Sequence, residues 1–184
     1  MAQFISFDKN VEAVGLGILS IISAFPEYGR EHVDQLLKDN NIVNITPEKW
    51  FKVQGLLNTF KSFATTYGPN TLFNIGVTLF EDAKLPPHIT DLKSGLEFVG
   101  EIYRMRHRGG NSGYVELRSF DAAAQKAVVE YCNPYPCHFE RGIVTACARK
   151  FKPKDANFID VQLDKEKPSR LDGADSSFYV VTWV

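Results

Sequence analysis

The sequence holds no long hydrophobic run. Its most apolar stretch, Val14 to Phe25, is short and is interrupted by Gly15, Gly17, Ser20 and Ser23, so it lacks the length and continuity to span a bilayer. No basic segment precedes that stretch and no small-residue cleavage site follows it, so no targeting signal is visible. An excess of one charge is also missing: 21 Lys and Arg stand against 22 Asp and Glu, for a formal net charge of −1. That balance removes any general attraction to nucleic acid or to an anionic membrane. Cysteine is scarce, and Cys132, Cys137 and Cys147 are an odd, clustered set rather than a disulfide framework, which points to a reducing, cytoplasmic compartment. Ser-His-Asp groupings, paired catalytic carboxylates, HExxH and the phosphate-binding glycine motifs are all absent, and Gly15-Leu16-Gly17 has neither a third glycine nor a preceding strand. These absences favour binding over catalysis, and the expectation is that the chain is not an enzyme.

What is present suits one folded domain, expected over residues 1–184. Hydrophobic residues make up 44% of the chain and aromatics 12%, ample for a large core. The region 1–106 reads as mainly helical. Val11, Val14, Ile18, Ile22 and Phe25 recur at helical spacing, predicting a helix from Asp8 or Asn10 to near Pro26. A short helix follows from about Glu31 to Asp39. Thr46-Pro47 then reads as a capped helix start with Ile45 and Trp50 as a hydrophobic staple, and the stripe Trp50, Val53, Leu57, Phe60, Ala64 and Tyr67 carries that helix to Gly68. Asn70 restarts a helix that Pro86-Pro87 ends. Thr90 or Asp91 caps another, with Leu92, Leu96, Val99, Ile102 and Met105 along its apolar edge.

The region 107–184 reads differently. After the turn Gly109-Gly110-Asn111-Ser112-Gly113, Tyr114 to Phe120 and Gln125 to Cys132 form a hairpin pattern. A helix with Phe139, Ile143 and Cys147 on its ridge comes next, then strands at Asn157–Leu163 and Ser177–Trp183 with a polar, exposed linker from Asp164 to Asp175. The fold class expected is α+β: an N-terminal helical layer packed on a four-stranded antiparallel sheet of β-β-α-β-β order.

The run Tyr131 to Ile143 concentrates two prolines, two tyrosines, two cysteines and a histidine between strand and helix, a rigid and chemically loaded corner. Cys132, Cys137 and Cys147 with His138 lack the tight C-x2-C knuckle of a zinc site, so zinc is the less favoured cofactor, and Cys147 falls on the core ridge of the helix. Cys137 opens the helix, where amides and the dipole lower a thiol pKa. Arg104-x-Arg106-His107-Arg108 is a basic cluster that either solvates a helix end or contacts an anion.

This layout, with a Tyr-Pro-Cys loop opening a Glu-Arg-Gly-Ile helix, resembles the superfamily that unites 4-vinyl reductase domains with haem nitric-oxide/oxygen-binding domains. The resemblance covers about Thr46 to Val184 and implies a sensor. Its vinyl-reductase branch implies a small-molecule module, some members holding aromatic effectors and some a cysteine-bound zinc. Its haem branch implies a histidine on a helix ahead of the sheet and a Tyr-x-Ser-x-Arg motif gripping the haem carboxylates. Here His107 precedes the first strand and Tyr135-x-Cys137 starts like that motif, but position 139 is Phe and the nearest arginine is Arg141.

Three readings follow. The first is a cytoplasmic ligand-binding sensor with an apolar pocket between helices and sheet, taking a small apolar or aromatic ligand at Tyr103, His107, Tyr135, Cys137, Phe139 and Arg141 and signalling to a separate protein. The second is a haem-based sensor of nitric oxide or dioxygen using His107. The third is a non-catalytic interaction protein, dimerising through exposed aromatics near Trp183 and the N-terminal helix.

Overall fold

In the computed structural model, which describes residues 3–184, β1 (Glu12–Val14) runs into α1 (Gly15–Ser23), followed by α2 (Arg30–Asp39), β2 (Trp50–Lys52), α3 (Val53–Tyr67), α4 (Pro69–Glu81), α5 (Leu92–Met105), β3 (His107–Arg108), β4 (Tyr114–Asp121), β5 (Lys126–Cys132), α6 (Cys137–Lys150), β6 (Ile159–Leu163) and β7 (Ser177–Trp183). The last four strands form one antiparallel sheet of order β4-β5-β7-β6. This is the expected α+β arrangement. The sheet presents Val115, Ala127, Val129, Tyr131, Tyr179, Val181 and Trp183 to α5 and α6, burying them in a core with Val99, Val144 and Cys147. A second core joins α1, α2, α3 and α4 through Ile18, Val33, Leu57, Phe60, Phe63 and Ile75. Tyr103 and Ile143 pack against both cores and mark the seam between them.

The α4–α6 crossing is the tightest in the molecule. A Cβ on Gly76 would lie 2.0 Å from the Phe139 carbonyl oxygen, and one on Gly142 would lie 2.1 Å from that of Phe73. Two facing glycines therefore let the helix backbones touch, which brings α6 and its cavity-facing residues under the N-terminal helices. The α5 start follows its sequence signal: the Asp91 side chain accepts from the Ser94 amide at 2.8 Å, and the Ser94 hydroxyl completes a capping box.

Five expectations are corrected. The first helix starts at Gly15 rather than near Asn10, and Trp50 lies in a strand rather than in the helix, which starts at Val53. The cause is a second sheet of order β2-β1-β3, in which Glu12–Val14 pair with Trp50–Lys52 and Glu12–Ala13 pair with Arg108 and His107. Trp50 does not staple a helix; the Arg108 guanidinium sits 4.3 Å from its ring centroid. Met105 is exposed, because the last turn of α5 runs past the core. Trp183 itself is buried and stacked on Phe120 at 5.3 Å, and the exposed aromatic near it is Phe158, whose amide bonds to the Val184 carbonyl. Within the expected polar linker Asp164 to Asp175, Arg170 is fully buried.

Candidate functional site

The seam between the two cores holds a cavity. Its walls come from β1 and α1 (Ala13, Gly17, Ile18), α3 and α4 (Leu56, Phe60, Leu79), α5 (Val99, Ile102, Tyr103), the strands (His107, Val115, Tyr131) and α6 (Phe139, Glu140, Ile143). The space that the centre of a water molecule can occupy is about 90 Å³, and the whole non-atom volume out to solvent is about 740 Å³. The larger figure extends into open solvent, because the cavity opens at the surface. The lining is almost wholly apolar, with polar groups confined to a few positions.

One of those polar groups is His107. Pairing of β3 with β1 puts it opposite Ala13 and turns it to the seam. Its Nδ1 lies 2.8 Å from the Tyr103 carbonyl oxygen, which accepts and never donates, so Nδ1 carries the proton. Nε2 is then the acceptor for the Tyr135 hydroxyl at 2.8 Å. The imidazole stacks on the Tyr103 ring at 4.2 Å, and the Tyr103 hydroxyl donates to the Ser112 carbonyl at 2.5 Å. Burial, with the adjacent Arg106 charge adding to it, lowers His107 to about 4 despite the Tyr103 carbonyl contact. Burial moves Tyr135 upward. Neither group changes charge near neutrality, so the Tyr135–His107–Tyr103 chain acts as a fixed hydrogen-bonded strut.

A direct check follows. The His107 ring resonances are expected to titrate with a midpoint near 4 by NMR. Because the folded value lies below the unfolded one, the ring contributes stability fully above pH about 6.5 and loses it as pH falls through about 4, roughly 3 kcal/mol in all. A midpoint near 6.5 would show a solvated ring and contradict the strut.

Beneath the cavity lies a polar cluster that the sequence did not announce. Arg170, at 2% exposure, donates to the carbonyl oxygens of Tyr131 at 2.7 Å and Tyr135 at 2.9 Å and forms an ion pair with Glu140, itself fully buried. The Tyr179 hydroxyl lies 2.8 Å from the same Glu140 oxygen. Burial raises Glu140 to about 7, while Arg170 and the hydroxyl pull the other way. Arg170 thereby ties the connection after β6 to the loop at 131–135 that closes the cavity.

The expected site residues divide. Tyr103, His107, Tyr135 and Phe139 line the cavity; Cys137 and Arg141 do not. Cys137 is buried, its sulfur 3.2 Å from the Ser177 hydroxyl, and burial raises its pKa rather than lowering it. Its helix-start amide is taken by the Gln3 side chain at 2.9 Å. Arg141 faces away, its guanidinium 5.2 Å from the Phe73 ring centroid. Arg106, from the basic cluster, does reach the wall, whereas Arg108 pairs with Glu12 at 2.9 Å and Arg104 is exposed. The residues missed from sequence were Glu140, Tyr131 and Arg170. Glu140 carried a usable signal, since it stands three residues before Ile143 and seven before Cys147, on the core ridge of the helix. Among the described residues, no group of three or more His, Cys, Asp or Glu is placed to hold a metal.

Neither a family model nor a curated relative matches the sequence. Solved structures do match. An H-NOX protein from S. oneidensis in its Fe(II)NO state superposes with a TM-score of 0.68 over 93% of this chain and 99% of that one, at 12% identity. A structure concerned with haem distortion in the H-NOX family gives 0.65 over 92% and 94%, at 17% identity. An oxygen-binding H-NOX domain related to soluble guanylate cyclases gives 0.60 over 92% of each chain, at 15% identity. The chain therefore has the H-NOX fold over 92–93% of its length, and the likeness is one of fold.

Proposed function

We propose that this chain is a non-catalytic sensor module that holds a small, mostly apolar ligand in the cavity between its helices and its sheet, as the vinyl-reductase branch of the superfamily does. The cavity itself carries the reading. An apolar recess with about 90 Å³ of usable space leaves the side chains around it without packing partners on one side. A fold that keeps such a void, and aims polar groups into it, is built to have it filled. His107 and Tyr135, the two hydrogen-bonded groups on the wall, hold their protons far from neutral titration, so neither serves as a general base at neutral pH.

The residues present do not fit the haem that H-NOX neighbours carry. Helix α5, which precedes the main sheet, contains no histidine, and His107 lies in β3 with both ring nitrogens engaged. The Tyr135 hydroxyl is spent on His107, and position 139, where the carboxylate-gripping arginine belongs, is a buried Phe139 packed 4.8 Å from the Phe60 ring.

Purified protein is expected to stay colourless when haem is supplied and to release a small organic ligand detectable by native mass spectrometry. A Soret band after haem addition that disappears in His107→Ala would overturn this reading and make His107 an axial ligand of a haem gas sensor.

A further inference from the structure

We propose that the cavity takes a small neutral alcohol, a molecule with an apolar body of about one ring and one hydroxyl that docks between the Tyr131 hydroxyl and the unpaired carboxylate oxygen of Glu140. The inference rests on the ligand-binding reading above and gives that ligand its chemistry.

Both side chains line the cavity and both are buried, Tyr131 at 2% exposure and Glu140 at 0%. Neither Tyr131 Oη nor Glu140 Oε1 has a hydrogen-bond partner among the described residues. Arg170 and the Tyr179 hydroxyl both engage the other Glu140 oxygen, and Arg170 Nε is the one further buried side-chain atom without a partner among the described residues. A buried polar atom without a partner costs about 1–3 kcal/mol. Two of them on one apolar cavity are a standing penalty that a bound group removes.

The group that removes it has limited chemistry. It must donate to a carboxylate oxygen and also pair with a phenol hydroxyl, and a single hydroxyl does both. A ligand carboxylate would meet Glu140 as a like charge. An ammonium would bring an uncompensated charge into a space where Glu140 and Arg170 already cancel.

The test uses cyclopentanol and methylcyclopentane, which exchange hydroxyl for methyl on one ring, titrated by NMR into the wild-type chain and into Tyr131→Phe. Both probes are expected to bind the wild type. In Tyr131→Phe the ratio of alcohol to hydrocarbon affinity is expected to fall about tenfold, with hydrocarbon affinity held. The variant's thermal midpoint is expected to stay or rise, since it loses an unpaired hydroxyl. An unchanged ratio would overturn the alcohol assignment and leave the ligand-binding reading standing. Binding of neither probe would remove both. A clearly lowered midpoint would show that the hydroxyl is paired in the folded chain and would also overturn the assignment.

Discussion

Arg170→Ala is expected to lower stability by about 3–5 kcal/mol, the largest effect of any single substitution considered. The wild-type guanidinium is buried and engages Glu140 together with two carbonyl oxygens in the 131–135 loop. Its removal leaves a carboxylate in an apolar interior and orphans both carbonyls at once, so the penalty includes the desolvation of every group abandoned. For a domain of this size the thermal midpoint should drop by on the order of 10 °C. Arg170→Lys should rescue little, because a single ammonium cannot reproduce a fork that meets three acceptors. Pairing Arg170→Met with Glu140→Leu should recover part of the loss, since the uncompensated charge goes with its partner. Denaturant titration of the two single variants and the double variant measures all of this. Additive losses in the double variant would show that the two side chains do not work as a pair.

Gly76→Ala is expected to be nearly as damaging, at the upper end of the 1–3 kcal/mol that overpacking ordinarily costs, or above it. The added methyl would sit 2.0 Å from a backbone oxygen, not from the end of a mobile side chain, so the helices themselves must separate. Leu79 and Phe80 on α4 and Phe139, Glu140 and Ile143 on α6 would move apart with them. The substitution should therefore enlarge the cavity and weaken the probes of the previous section while lowering the thermal midpoint. Gly17→Ala is the control. Its new methyl would find nothing nearer than 3.9 Å, and alanine's higher helix propensity should leave stability unchanged or slightly raised. Equal behaviour of the two variants would refute the close crossing.

Much of the fold was legible because it is written in local patterns. The period-3.6 stripes of α3, α4, α5 and α6, the alternation in β4 and the Asp91–Ser94 cap are decided by neighbours a few residues apart. The small sheet was not legible, since strands of two or three residues carry no periodicity and pair with partners as far apart in sequence as Glu12 and Arg108. His107 was hard to place for the same reason: flanked by two arginines it looks exposed, and only its pairing with Ala13 turns it inward.

The sequence by itself determined the class of molecule: an α+β chain with helices ahead of a four-stranded sheet, a charge balance unsuited to nucleic acid, and a loop at 131–143 that concentrates the chemistry. It determined these things because propensity, periodicity and composition are properties of residues and near neighbours. The tertiary structure alone decided what that loop does. It buried Cys137 and turned Arg141 outward, and it brought Arg170 from a polar connection to neutralise Glu140. It also left Tyr131 and Glu140 each with one atom unpaired at the cavity wall. Those outcomes depend on which groups meet after distant segments pack, and on the cost of burying a charge or a hydroxyl without a partner, neither of which is a local property of the chain.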